Sequence, residues 1–231
     1  MHQLQSIKNH FPAFANDRQQ DCFELYTRVM NYRQCPCCQG QSCRELDRLF
    51  GVKFANRLEC PGCKNEWLAG EAQQHFLDIG LPAADPQTTT VQALVNKVFC
   101  VNKYEYACVG CGKQRKDVNV RQVLIDASPR LVLRLKRWSG DPDMPGRKNR
   151  CAVKFTLSEK LTLTQQSSEH LTYVLKSAVI HHGDTIENGQ NTSLLYVNGR
   201  TYSADDERTQ PVGTLKMDHY KQCYMLCYML C

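Results

Sequence analysis

The stretch Cys60-Pro61-Gly62-Cys63 is matched further along the chain by Cys108-Val109-Gly110-Cys111. Each is a Cys-x-x-Cys knuckle, and its glycine lets the chain turn so that two thiolates approach one ion. Four thiolates complete a tetrahedral zinc site without an open position, and such a site is structural. The knuckles are too far apart for a small zinc ribbon, so we expect them on two hairpins that the fold brings together. We predict a structural Zn held by Cys60, Cys63, Cys108 and Cys111, with four free cysteines as the alternative.

The composition supports metal over disulfides. The chain has 231 residues, 14 of them cysteine, and a formal net charge of +6. That length can bury a core without disulfides, and neither a signal peptide nor an apolar run long enough to cross a membrane is visible. We therefore expect a cytoplasmic and/or nuclear protein without a membrane partner. The charge is mild and spread along the chain, which leaves a nucleic-acid partner open, but no stripe of aromatic and basic residues supports one, so we do not expect it.

A second group of cysteines leaves two interpretations open. Cys35, Cys37, Cys38 and Cys43 lie in one polar loop and supply four sulfur atoms. They could bind a second metal ion, although the adjacent pair Cys37-Cys38 is poorly suited to tetrahedral geometry. The alternative is a loop of free thiols. Cys22, Cys100 and Cys151 are predicted to be small core residues.

Hydrophobic periodicity predicts helices first and strands later. We predict an amphipathic helix over residues 19–33, with Cys22, Leu25, Tyr26 and Val29 on one face. A second helix is predicted over 91–99, after a cap at Thr90. From about residue 104 the pattern favours β-structure, with strands at 131–135, 173–180 and 193–197, the last meeting an Asn198-Gly199 turn. The end of the chain repeats Cys-Tyr-Met-Leu. We predict a buried strand for the first repeat. The second repeat is either a frayed extension of that strand or an altered end.

Several segments resemble, in the same order, sequence boxes of the ubiquitin-specific protease family of papain-like cysteine proteases. They are Gln19-Gln20-Asp21, Leu49-Phe50-Gly51 before the first knuckle, Tyr106 beside the second, Leu135-Lys136-Arg137-Trp138, Ala178-Val179-Ile180-His181-His182-Gly183, Tyr202 with Asp205-Asp206, and Tyr224-Met225-Leu226-Cys227-Tyr228. The resemblance implies an α+β, papain-like ubiquitin-specific-protease fold in a single domain. Its expected parts are a partial thumb at 1–34, zinc fingers at 44–112 and a β-rich palm at 113–231.

The catalytic boxes depart from the family pattern. The family's nucleophile lies in a Gly-Asn-Thr-Cys box upstream of Gln-Gln-Asp, and none of the 14 cysteines has that context. The family's general base is a His after glycine, and Gln190 occupies that position here. Asp205 matches the acid that orients the base. We predict that His181 and His182 are structural residues at a strand end, and that His219 lies in a loop before the final strand without a catalytic role.

The resemblance also implies a partner. The Asp of the Gln-Gln-Asp box receives the basic tail of ubiquitin in the family, which assigns that role to Asp21, with Glu24 one turn along the same helix face. An ordinary polar helix face is the alternative. We predict a catalytically inactive domain that binds ubiquitin or ubiquitinated protein, or acts as a scaffold. Two alternatives are an active deubiquitinase represented by a truncated chain, and a zinc-organised interaction domain that does not bind ubiquitin.

Overall fold

The structure is a computed structural model, and it describes residues 10–14, 21–31, 44–82, 88–138, 148–185 and 189–231. The proposed second metal group at Cys35, Cys37, Cys38 and Cys43 lies outside these residues. The helices of the described chain are α1 (Cys22–Met30), α2 (Arg44–Phe50), α3 (Val91–Val98) and α4 (Met217–Gln222), with one 3-10 turn at Pro12–Phe14. None of them is long and apolar enough to cross a membrane.

Four antiparallel strands form a first sheet, which we call the knuckle sheet. Its strands are β1 (Val52–Glu59), β2 (Glu66–Gln74), β5 (Asn102–Ala107) and β6 (Gln114–Ala127), in the order β2-β1-β6-β5. A small apolar cluster of Leu58, Val118 and Val120, with Trp67 and Ala69 packed against it, lies on one face. The two hairpin turns, β1 to β2 and β5 to β6, are where the knuckles lie.

A second sheet, the main sheet, carries most of the core. Its order is β13-β12-β11-β10-β14-β7-β3, with β9 paired to β10. The strands are β3 (Leu77–Gly80), β7 (Arg130–Lys136), β9 (Lys160–Thr164), β10 (His170–His182), β11 (Gln190–Val197), β12 (Arg200–Asp205), β13 (Arg208–Pro211) and β14 (Cys223–Leu230). Two short strands, β4 (Thr88–Thr90) and β8 (Ala152–Lys154), pair in parallel beside it.

Both predicted helices are confirmed within the described residues. Asp21 caps α1 by accepting a hydrogen bond from the Phe23 N–H at 2.8 Å, and Thr90 caps α3 through the Ala93 N–H. These short polar side chains satisfy amide groups that a helix start leaves unpaired. Along α1 the most buried side chains are Phe23 and Met30, whereas the four residues of the predicted face are only half-buried.

The repeated tail forms one continuous strand. Both Cys-Tyr-Met-Leu units belong to β14, which lies between β10 and β7 near the middle of the main sheet. Its first four residues are all buried. The repeat therefore needs no turn, because a single strand accommodates both units.

A fully buried arginine joins the end of β7 to three other segments. Arg137 is 0% exposed and donates hydrogen bonds to the carbonyl oxygens of Cys223, Asn149, Cys151 and Tyr220. Burial lowers the pKa of this guanidinium to about 10, and the group remains a cation at neutral pH. Arg137 consequently ties β14, α4 and the segment before β8 to one strand end.

Three sequence predictions were wrong. The β-structure does not start near residue 104, because β1 to β4 precede it. Position 219 is helical, since His219 lies in α4 and its Nδ1 accepts a hydrogen bond from the Lys216 N–H. Cys100 is exposed, although Cys151 is buried as expected. Cys100 lies just past the end of α3, where the polypeptide leaves the core.

Candidate functional site

The two knuckles adopt the same turn. In the first, the Cys60 N–H donates to the Asn65 carbonyl at 3.0 Å and the Lys64 N–H donates to the Cys60 carbonyl at 2.9 Å. In the second, Cys108 and Gly112 repeat these bonds at 3.0 and 2.8 Å, with Lys113 in place of Asn65. The residue after each second cysteine has a positive φ, 61° at Lys64 and 69° at Gly112. Matching turns present the two pairs of thiols in the same way.

The four sulfur atoms converge on one point. The ligand atoms of Cys60, Cys63, Cys108 and Cys111 all lie within 4.8 Å of one another, and the Sγ atoms of Cys63 and Cys108 are 3.5 Å apart. Sulfur atoms bound to zinc at about 2.3 Å in a tetrahedron are about 3.8 Å from each other. This cluster therefore fits a tetrahedral four-thiolate metal site, as the spacing predicted. The two hairpins that carry it are also those predicted.

Local backbone groups favour thiolates at this cluster. The N–H of Cys63 lowers the pKa of the Cys60 thiol to about 6, and the N–H of Lys113 lowers the pKa of the Cys111 thiol. Hydrogen bonds to the ionised form of an acid lower its pKa. A metal cation requires deprotonated sulfur, so these amide groups assist binding.

The base and acid positions of the family pattern lie together on the main sheet. Asp205 lies at the end of β12 and Gln190 at the start of β11, and the Gln190 side-chain amide donates a hydrogen bond to Asp205 Oδ1. Gln190 is exposed. An amide thus takes the contact with the carboxylate that an imidazole would take in a catalytic triad.

Two histidines of β10 lie beside this pair. His182 is directly opposite Gln190 in the β10–β11 register, and its Nε2 is 2.8 Å from the Thr192 Oγ1. The buried His181 lies next to Lys148, whose Nζ is 3.3 Å from the His181 Nδ1 and also donates to backbone carbonyls. Burial, followed by the Lys148 charge, lowers the pKa of both histidines. At the end of β10, His181 therefore contacts Lys148 and His182 contacts Thr192.

The predicted tail-binding carboxylates already have partners. Asp21 Oδ1 caps α1, and its Oδ2 accepts a hydrogen bond from the Tyr224 hydroxyl at 3.3 Å. Glu24 is exposed and pairs with Arg28 one turn later, at 2.9 Å. The Tyr224 ring also packs edge-on against Trp138 and His181. The Tyr224 side chain therefore lies between the Asp21 carboxylate and His181.

Sequence reasoning missed the partners that hold these residues. Tyr224 belongs to the closing box of the family pattern, but its bond to Asp21 joins residues 203 positions apart in sequence. The contact between His182 and Thr192 was not predicted either. The Asn198-Gly199 turn fixes which residues of β11 and β12 face each other, and that register would have placed Thr192 beside Asp205.

Comparison with known proteins assigns a family. The sequence profile described as ubiquitin carboxyl-terminal hydrolase matches residues 2–228. The chain is 24% identical over 243 aligned residues to human ubiquitin carboxyl-terminal hydrolase 17-like protein 10, covering 99% of this chain and 44% of that protein. For the human 17-like protein 6 the identity is also 24%, with 58% of that protein covered. The chain thus spans about half the length of these curated relatives.

Solved structures share the fold. The SAGA DUB module of Ubp8, Sgf11, Sus1 and Sgf73 bound to monoubiquitin matches with a TM-score of 0.77 and 18% identity, over 96% of this chain and 51% of that one. The same module bound to ubiquitin aldehyde matches with a TM-score of 0.74 and 18% identity, over 96% and 52%. The strand-rich α+β architecture is therefore that of a ubiquitin-specific protease, as predicted.

Proposed function

The chain belongs to the ubiquitin carboxyl-terminal hydrolase family, and from that premise we propose that it binds ubiquitin or ubiquitinated protein without hydrolysing it. The observation that carries the proposal is Gln190 at the base position, hydrogen-bonded to Asp205. The solved modules that share the fold hold monoubiquitin and ubiquitin aldehyde, which supports ubiquitin as the partner. A cytoplasmic and/or nuclear location is part of the proposal.

The chemistry of a cysteine protease needs a proton acceptor at that position. A free thiol has a pKa near 8.5, so only a few per cent is thiolate at pH 7, and a neighbouring imidazole raises that share and later protonates the leaving amine. Glutamine does neither at any relevant pH. Asp205, the proposed third member of the triad, orients an amide instead of a base. The imidazole of His182 is directed to Thr192.

The parts of the family fold are assigned accordingly. We propose a partial thumb at 1–34 that includes α1, fingers at 44–112 that hold structural zinc, and a palm at 113–231 that includes most of the main sheet. The four knuckle cysteines fit the metal, and they would supply its whole coordination shell. Zinc bound there stabilises the fingers by joining two hairpin turns, and no reaction step depends on it.

The first test concerns chemistry. We expect the chain to form no covalent adduct with a ubiquitin C-terminal electrophile and to hydrolyse no ubiquitin–amide substrate. Gln190→His is the matched variant, because it places an imidazole beside Asp205, and it should form no adduct either, since none of the 14 cysteines has the context of the family's nucleophile. An adduct of the natural sequence, mapped to one of its cysteines and accompanied by turnover above background, would favour an active deubiquitinase.

The second test concerns binding. We expect ubiquitin to bind in the micromolar range or more weakly, because Asp21 and Glu24 must give up contacts with Tyr224 and Arg28 to meet a basic tail, and affinity depends strongly on such preorganisation. Asp21→Asn removes the charge but keeps a side chain that can cap α1. Asp21→Asn should weaken ubiquitin binding, and Asp21→Arg should weaken it more strongly. Both losses should be larger at low salt, where charges are screened less.

The control for that test is ubiquitin without its basic tail. If Asp21 meets the tail, deleting the tail and replacing Asp21 should each weaken binding, and the two effects should not add. Chemical shifts of labelled ubiquitin report the contact directly. Complete absence of shifts at high concentration would reject ubiquitin as the partner and favour a zinc-organised domain with another protein partner.

A further inference from the structure

Strand β5 is an open edge of the knuckle sheet. It is the last strand in the order β2-β1-β6-β5, so within the described residues only β6 pairs with it. All six of its residues are exposed. Half of the large apolar side chains that are exposed in the described chain lie in or beside this strand, namely Val101, Tyr104, Tyr106 and Val109. An unpaired edge with exposed aromatic side chains is a template for another strand.

The other sheet edges are protected in ways that β5 is not. Strand β2 is interrupted near Gly70, which has a φ of 65° and lies at a register shift, and it exposes Glu66 and Glu71. Strand β13 has four residues and ends in Pro211, which lacks a backbone donor. Strand β3 has four residues and is contacted by α3. Among the edge strands of the described residues, β5 alone combines length, regular geometry and apolar exposure.

The geometry of β5 is regular along its length. The ladder between β5 and β6 shifts by one residue between Tyr104 and Tyr106, and the extra residue belongs to β6, because Tyr104 faces Val118 whereas Tyr106 faces Arg115. The side chains of β5 therefore alternate normally. Tyr104 and Tyr106 share one face, and Lys103 and Glu105 share the other.

That alternation makes the edge complementary to itself. We propose that β5 pairs in antiparallel fashion with β5 of a second copy of this chain, about a two-fold axis at Tyr104. In this register Lys103 of each copy faces Glu105 of the other, Tyr104 faces Tyr104, and Asn102 faces Tyr106. Opposite charges and aromatic side chains placed directly across strands stabilise a sheet. The two knuckle sheets become one continuous sheet through a closed, symmetric contact.

The contacts within one chain leave these charges available. Lys103 has no hydrogen-bond or ion-pair partner among the described residues, and Glu105 accepts one bond, from the Gln114 amide at 3.3 Å. Two six-residue strands form a small interface compared with stable complexes, which bury roughly 1,200–2,000 Å² of surface area. We therefore expect a reversible dimer with a dissociation constant on the order of micromolar or weaker.

Sedimentation velocity of the zinc-loaded chain over a range of concentrations tests the proposal. We expect a concentration-dependent dimer. Lys103→Glu places four carboxylates in two facing pairs, and Glu105→Lys places four ammonium groups there, so each variant should weaken the dimer about tenfold or more. Lys154→Glu changes the charge equally at an exposed position of β8, and it should leave the dimer unchanged.

Mixing the two variants gives the decisive measurement. Lys103→Glu and Glu105→Lys chains are mutually complementary, so their equimolar mixture should recover association that neither shows alone. The zinc content of each variant verifies that the knuckles are intact. A natural chain that stays monomeric up to millimolar concentration overturns the proposal, as does a dimer that neither charge reversal weakens or a mixture that fails to recover association.

Discussion

Tyr173 and Tyr228 are both almost fully buried in the main sheet, but only one of their hydroxyl groups has a hydrogen-bond partner. The Tyr173 hydroxyl donates to the Ser128 carbonyl at 2.9 Å. The Tyr228 hydroxyl has no partner within the described structure. Burial raises the pKa of Tyr173 to about 12 and that of Tyr228 further still, so both are neutral phenols. The hydrogen bond of Tyr173 therefore offsets the cost of burying its hydroxyl group, whereas no described contact offsets that cost for Tyr228.

Replacing each tyrosine by phenylalanine should give opposite results. Tyr173→Phe leaves a buried carbonyl without its donor and should cost about 1 kcal/mol of unfolding free energy. Tyr228→Phe removes an unsatisfied hydroxyl and should be neutral or stabilising by up to about 1 kcal/mol. Urea unfolding monitored by circular dichroism measures both. A Tyr228→Phe protein less stable than Tyr173→Phe would contradict this account.

At the same scale, the sequence also carried information about the contact between Gln190 and Asp205, which the comparison of sequence boxes did not use. The Asn198-Gly199 turn pairs Ser193 with Ala204, which puts Gln190 and Asp205 on one face and within side-chain reach. Their contact could therefore be predicted from the turn alone. The Asp21–Tyr224 bond could not, because no local pattern relates a helix cap to a strand so distant in the chain.

At the scale of elements, the proposed zinc ion would join the two knuckle hairpins. The cluster of Leu58, Val118 and Val120 is the small apolar core near the knuckles, whereas Val52, Phe54 and Leu124 at the other end of the same sheet belong to the main core. The knuckle end therefore has little apolar burial of its own, and a tetrahedral thiolate site would stabilise it by joining its two turns. Because the four cysteines lie in these turns, loss of a ligand would free a turn as well as a metal bond.

We expect about one zinc ion per chain, and Cys108→Ser should lower both the zinc content and the thermal midpoint of unfolding. Cys100→Ser is the control, because Cys100 is exposed and lies outside the cluster. Metal analysis and a thermal melt are enough to compare the two variants. Full zinc retention in Cys108→Ser would remove Cys108 from the ligand set.

Element prediction from sequence succeeded where periodicity was strong. Helix α3 has a cap at Thr90 and buries Val91, Leu94 and Val95, so the pattern indicated both its start and its inner face. Strand β2 gave no such pattern, because six of its nine residues are exposed, Leu68 among them, and none is buried. A strand held by backbone pairing with little burial leaves no hydrophobic alternation to detect.

At the scale of the molecule, three histidines make stability depend on pH. Burial lowers the pKa of His181, His182 and His219, with the Lys148 charge adding to the shift for the first two. The unfolded chain binds protons near pH 6.5, whereas these folded side chains bind them only at lower pH. Stability is therefore full above about pH 6.5 and decreases as the pH falls below it.

The free energy of unfolding should thus decrease steadily from pH 7 to pH 5. His182→Gln should flatten that decrease, because it removes one group whose protonation opposes folding. Acid also weakens thiolate–metal bonds, but it does so in both proteins, so the difference between them isolates the histidine. Urea titrations at several pH values provide the comparison. Identical slopes for the two proteins would show that His182 does not contribute.

The central place of β14 has a consequence for how the molecule is made. Its neighbours β7 and β10 end at residues 136 and 182, yet the strand that joins them begins only at residue 223. Until β14 leaves the ribosome, those two strands have facing edges with nothing between them. Pairing across such long loops is slow, and exposed strand edges are prone to aggregate. Synthesis of this protein should therefore depend on chaperones that shield the half-built sheet.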